Sequence, residues 1–186
     1  MNSRLLKRFS AFAVFVLAGA LILPLGWGAA AHSKDEDERE GKLQGTWRVQ
    51  VTLHNCQTGD PLVSFASLLT FASGHTLIEL TSSPAFLPGQ RTPGLGVWSR
   101  TDGHTFSAVS DAFILFPSVA NPPGFKRGVQ RITQTIEVNG DDFAANASNQ
   151  FFDTDGVQYD TGCATAVGHR FERVGGDNHE EDKDKD

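Results

Sequence analysis

The chain has 186 residues, a formal net charge of −6, 39% hydrophobic and 20% charged residues, and two cysteines. No basic excess is available for a nucleic-acid surface, and the separation of Cys56 from Cys163 excludes a C-x-x-C redox or zinc motif. Once the ends are set aside, what remains is the size of one domain.

The first residues predict export. Arg4, Lys7 and Arg8 precede an uncharged apolar run, 9–23, which Pro24 and Gly26 interrupt before Ala29-Ala30-Ala31. A positive n-region, a short apolar h-region and small residues at the cut describe a signal peptide over 1–31, with cleavage after about Ala31. A retained membrane anchor is the alternative, since about 20 apolar residues span a bilayer. With cleavage, the protein is expected in the periplasm or secreted, with no membrane contact. Residues 32–42 and 175–186 are runs of charge that bury nothing, and they are predicted to be a disordered linker and a disordered acidic tail. The domain is then 43–174. In an oxidising compartment a Cys56–Cys163 disulfide is expected.

Along the domain, short runs of alternating apolar and polar residues are separated by Gly, Pro, Asn and Asp. That pattern predicts an all-β protein. Trp47, Val49, Val51 and Leu53 share one face of the first run. Runs follow at 62–72, 75–81, 95–100, 104–116, 126–138, 142–153, 157–160 and 163–174. Asn139-Gly140, Asp102-Gly103 and Asp155-Gly156 mark hairpins. Gly74-His75-Thr76 and Gly103-His104-Thr105 repeat one turn chemistry, and two histidines do not make a metal site. The proline-containing connections 82–94 and 117–125 are too long for tight hairpins, and Phe86 and Leu87 predict that the first folds over a barrel mouth.

Eight or nine strands joined mainly by hairpins predict an antiparallel up-and-down barrel, because closure removes unpaired edges. The first and last strands then pair, and the cysteine spacing places Trp47 beside 170–173. Equal spacing puts Ala166, Gly168 and Arg170 on the Trp47 face; a one-residue slip puts Val167 and Phe171 there, and the register is left open.

Gly45-Thr46-Trp47 at the start of the first strand, with an arginine from the last strand region, resembles the calycin superfamily of lipocalin-like and avidin-like barrels. The resemblance implies that Trp47 plugs the closed end, with Arg170 or Arg173 packed across its indole, and that Gly45 lets the backbone pass close by. No Thr-Asp-Tyr motif follows in mid-chain, and no terminal helix is predicted.

No nucleophile elbow, phosphate loop, dinucleotide fingerprint or His-Glu-x-x-His occurs, and neither a cofactor nor a metal is expected. Glu79 and Glu137 are predicted to face water; for Asp111 the outward face is favoured. The small polar stretch 144–150, with Gln130, Thr133 and Gln134 opposite, predicts a wall with room inside and amides to orient a small molecule. Gln134, Asn146, Ser148, Gln150, Phe106 and Phe86 are the candidate ligand contacts. The expected function is binding of a small, partly apolar ligand in the interior. The alternatives are a barrel isomerase or cyclase resembling allene oxide cyclase, and a filled barrel that serves as an interaction protein.

Overall fold

A computed structural model describes residues 42–118 and 124–172. The expected signal peptide, linker and acidic tail, and Arg173, lie outside them. The described residues form eight antiparallel strands and no helix. These are β1 (Gly45–His54), β2 (Pro61–Phe71), β3 (Thr76–Thr81), β4 (Gly94–Asp102), β5 (Thr105–Ile114), β6 (Gly128–Asn139), β7 (Asp142–Asp153) and β8 (Gln158–Arg170). Each pairs with its chain neighbour, and β1 pairs with β8, so the sheet is a closed up-and-down barrel. The two runs expected at 157–160 and 163–174 are one strand, which settles the number at eight.

Alternation divides each strand between the two faces. Trp47, Leu69, Phe71, Leu77, Trp98, Phe106, Ile136, Val138 and Phe143 point inward at one end and form the core cluster. Aromatic rings lock edge to face within it: Trp47 on Phe143 at 5.0 Å, Phe71 on Trp98 at 6.1 Å, and Trp98 on Phe106 at 5.9 Å between centroids. Phe106 is thus part of the filled end. His75 adopts a left-handed backbone (φ 66°), its ring lies 5.0 Å from Trp98, and its Nδ1 donates to the Trp98 carbonyl at 3.0 Å.

The Gly-x-Trp opening has a specific geometry. Trp47 is fully buried and its Nε1 donates to the Leu43 carbonyl at 3.0 Å. The Arg170 guanidinium lies 4.1 Å from the indole centroid. Its Nη groups donate to the carbonyls of Gln44 and Lys42, and its Nε donates to Asp141 at 2.9 Å. A Cβ on Gly45, whose φ is 132°, would meet Arg170 Nη1 at 2.8 Å. Gly45 is therefore glycine because the arginine occupies the space a side chain would need.

Trp47 pairs with Arg170 and Val49 with Gly168. This register keeps Ala166, Gly168 and Arg170 on the Trp47 face, while Val167 and Phe171 are exposed. A Cβ on Gly168 would sit 2.1 Å from the Phe143 ring, so the ring takes the volume that a bulkier inward residue would have filled. At the other end, Cys56 and Cys163 form a disulfide with a Cα–Cα distance of 5.3 Å, closing a loop of sequence separation 107. In the chain-entropy account such a loop contributes roughly 4–5 kcal/mol. The bond fits an oxidising compartment.

Trp47→Ala is expected to lower the unfolding free energy by about 3–5 kcal/mol. Arg170→Lys, which keeps the charge and loses the planar stack and forked donors, is expected to cost about 1–2 kcal/mol. Urea unfolding with the disulfide intact measures both, and a loss below about 1 kcal/mol for Trp47→Ala would contradict the plug assignment.

Candidate functional site

The mouth half of the barrel is built differently from the plugged half. The apolar cluster ends at Ala108, whose register neighbour on β6 is Gln134. Beyond it the inward positions become polar: Ser67, Glu79, Ser110, Gln130, Gln134 and Asn149 are all buried. Small residues stand between them, including Ala112, Ala147 and Ala164.

A buried ion pair organises this half. The loop between β3 and β4 sends Arg91 into the barrel, where its Nη2 donates to Glu79 Oε2 at 2.6 Å. The two side chains are 4% and 5% exposed, so both are withdrawn from water. Arg91 Nε donates to Gln130 Oε1, and Gln130 Nε2 donates to Asn149 Oδ1 at 3.1 Å. The chain of bonds thus crosses from β3 through the loop to β6 and β7. Gly94 makes room for it: a Cβ there would lie 2.5 Å from Glu79 Oε2 and 3.5 Å from Ser110 Oγ.

One buried polar atom stands outside the network. Ser110 Oγ is buried with no hydrogen-bond partner among the described residues. An unpaired buried hydroxyl costs about 1–3 kcal/mol, so Ser110 is an open valence of the fold.

The loop also covers the mouth. Gln90 is fully buried; its Nε2 donates to the Phe116 carbonyl at 3.0 Å and its Oε1 accepts from Leu87 N–H at 2.9 Å. Phe86 stacks on Phe125 at 4.5 Å and lies under Arg91 at 5.7 Å. Phe125 continues to Phe151 at 5.1 Å, and Phe151 to Tyr159 at 6.2 Å. The loop thus packs on the barrel through Phe86, Gln90 and Arg91, whereas Leu87, expected to be covered with Phe86, is 55% exposed. Four open grooves of about 620, 600, 570 and 380 Å³ indent the outer wall and the barrel ends. Ser110, Gln130, Gln134 and Asn149 line none of them.

Several expected placements are corrected. Glu79 does not face water: Leu77 and Glu79 share the inward parity of β3, and Ile78 and Leu80 are the exposed pair. Alternation gave the right partition and the wrong side, because Arg91 arrives from a loop to neutralise the carboxylate. Asn146 and Ser148 are exposed on the outside of β7, where Phe143, Ala145, Ala147, Asn149 and Phe151 take the inward parity. Gln150 keeps the outward parity and donates to Gln158 at 3.1 Å. Small polar side chains suit either face, so their composition could not choose one. Thr133 is likewise outside, whereas Glu137 faces water as expected. Asp111 is on the outer wall, where both oxygens accept from Arg131 at 2.7 Å; these bonds and the charge of Asp111 hold the guanidinium above its ordinary pKa. Gln134 and Phe86 stay with the mouth half. Glu79, Arg91, Ser110 and Asn149 were not anticipated as site residues. Arg91, in a loop, had no periodicity to reveal it.

Among the described residues no cluster of His, Cys, Asp and Glu is placed to hold a metal ion. His104 lies at the plugged end, where Lys42 Nζ donates to its Nε2 at 2.8 Å. In comparisons with known proteins, no family model and no curated protein matches the chain.

Tyr159, the only tyrosine, reports on the mouth. Burial raises its pKa; the backbone bond from Lys126 opposes this, and the charges of Asp160 and Asp153 add to the rise. The neutral phenol is favoured in the fold, so this contribution is full below about pH 10 and is lost as pH climbs through the raised value. The phenolate absorbance of the native protein is expected to titrate above the value found in urea, and coincident midpoints would contradict a closed mouth.

Proposed function

We propose that the chain is an exported calycin-like barrel that holds a small, partly apolar, uncharged molecule in the mouth half of its interior. One observation carries the reading. Ser110 offers a buried hydroxyl without a partner, and Gln134, buried further along β6 from Gln130, adds an amide, between the aromatic floor of Trp98 and Phe106 and the Phe86–Phe125–Phe151 roof. Pockets for small molecules combine apolar walls with a few polar groups of this kind. Glu79 and Arg91 neutralise each other, which favours a neutral ligand that both donates and accepts hydrogen bonds. The Gly45–Trp47–Arg170 closure supports the calycin resemblance, and the leader-like sequence 1–31 together with the disulfide supports secretion or a periplasmic location. Loading requires the 82–93 loop to swing away from the mouth.

The inward Glu79 favours, as a second reading, an isomerase or cyclase resembling allene oxide cyclase. Against it, the Glu79 carboxylate is paired with Arg91 through Oε2. The filled-barrel interaction protein draws support from the outer placement of the open grooves.

Native and denaturing mass spectrometry of the protein recovered after export separates these readings. The binder reading predicts a native mass larger by a discrete few hundred daltons, about what a ~300–1,000 Å³ site holds. Ser110→Ala is expected to leave the empty barrel as stable or more stable and to weaken retention roughly tenfold. Equal native and denatured masses, before and after incubation with host extract, would sink the binder reading.

A further inference from the structure

The outer wall is not uniform. Outward positions of β1, β6, β7 and β8 carry Arg48, Arg131, Glu137, Asp142 and His169. Those of β2 and β3 carry no charge, β4 carries one only at its end, where a bulge sets exposed Asp102 opposite Thr105, and β5 contributes only Asp111, which Arg131 neutralises. On this face three apolar pairs stand directly opposite one another across neighbouring strands: Leu68 with Leu80, Ile78 with Leu95, and Val97 with Val109. Leu95 is 63% exposed, Val97 57% and Leu80 49%. Isolated exposed aliphatics are ordinary, but three adjoining cross-strand pairs are a patch.

We propose that this face of β2 to β5 is a homodimer interface, with a second copy of the chain seated on it about a two-fold axis. The argument for a second copy is one of chemistry and area. The uncharged centre of the face, made by these three pairs, offers nothing to orient a charged partner. The charged segments 32–42 and 175–186 have no apolar surface with which to cover it. The patch stops at β6, so it is not the continuous apolar belt that a membrane barrel needs. Its best complement is a sheet of the same twist and the same apolar relief, which the molecule itself supplies. Two such sheets pack face to face about 10 Å apart with strands roughly 30° off parallel. With the Ser, Thr and Ala positions around it the face is on the order of 800 Å², the share that one partner gives to a standard interface. A two-fold axis closes the assembly and leaves no second apolar face to propagate it.

The inference is independent of the ligand reading and is tested by sedimentation equilibrium on the protein recovered after export from its full gene. A monomer–dimer equilibrium is expected, and Leu95→Lys is expected to weaken it at least ~100-fold by placing an unpaired charge at the centre of the face. Ala144→Lys, exposed on the outer face of β7 and away from β2 to β5, is the matched control and is expected to leave the equilibrium unchanged. An unchanged near-ultraviolet circular dichroism spectrum shows that each variant is folded; should Leu95→Lys misfold, Val97→Thr replaces it, with a smaller weakening of about tenfold. A monomer at all concentrations, a larger oligomer, or a dimer unaffected by the folded substitutions would each overturn the proposal. A monomeric protein whose mass shows residues 9–23 still attached counts in the same way, with that segment as the cover.

Discussion

Closing a sheet on itself assigns every second side chain to a confined interior, and this constraint governs the rest of the molecule. Each inward position must fill volume or satisfy a polar group, since the closed wall leaves no other solvent-shielded place for it. At one end the chain meets the demand with aromatic rings, and Arg170 across Trp47 seals that end with all its donor nitrogens engaged. Gly45 and Gly168 are consequences of this packing, each vacating space that a neighbouring side chain fills. The disulfide ties β8 to the turn after β1 at the opposite end, so closure is secured at both ends of the same strand pair.

The mouth half meets the demand at greater cost. Replacing inward aliphatic residues with a glutamate, two glutamines, an asparagine and two serines forgoes hydrophobic stabilisation of about 1.5–3 kcal/mol for each large side chain not buried. The Glu79–Arg91 pair adds the desolvation of two charges, which their mutual attraction offsets only when geometry and further bonds are good. Arg91 has those bonds, to Glu79, Gln130 and the Thr92 carbonyl. Ser110 has none. A barrel selected for stability alone has no physical reason to keep this arrangement, and that is the ground for the proposal that the mouth half serves a bound molecule.

The fold was largely legible in the sequence because alternation and turn chemistry are local. The runs from Trp47 to Leu53 and from residue 126 to 138, and the Asn139-Gly140 turn, announce strands and a hairpin without reference to anything distant. The site was much less legible. Alternation places Glu79 and Leu77 together on β3, but Ile78 and Leu80 are as apolar as any core residue, so hydrophobicity chose the wrong face. The information that reversed it lies in Arg91, a loop residue distant in sequence from β3. Asn146 and Ser148 show the same limit from the other side: small polar residues flank inward alanines on β7 and carry no facial preference. The apolar outer pairs that misled the reading of Glu79 are the ones that now mark a docking face.

The central claim, that the polar mouth half exists for a bound molecule and not for stability, is tested most directly by replacing Glu79→Leu and Arg91→Met together and measuring both unfolding and ligand retention. Each single replacement leaves a buried charge unpaired and is expected to cost about 3–5 kcal/mol. The double replacement is expected to unfold within about 1 kcal/mol of the parent protein, or above it, while the retained molecule is lost from the native mass. A double variant as unstable as the single ones, or one that still carries the molecule, would contradict the claim and make the pair a structural element of the barrel.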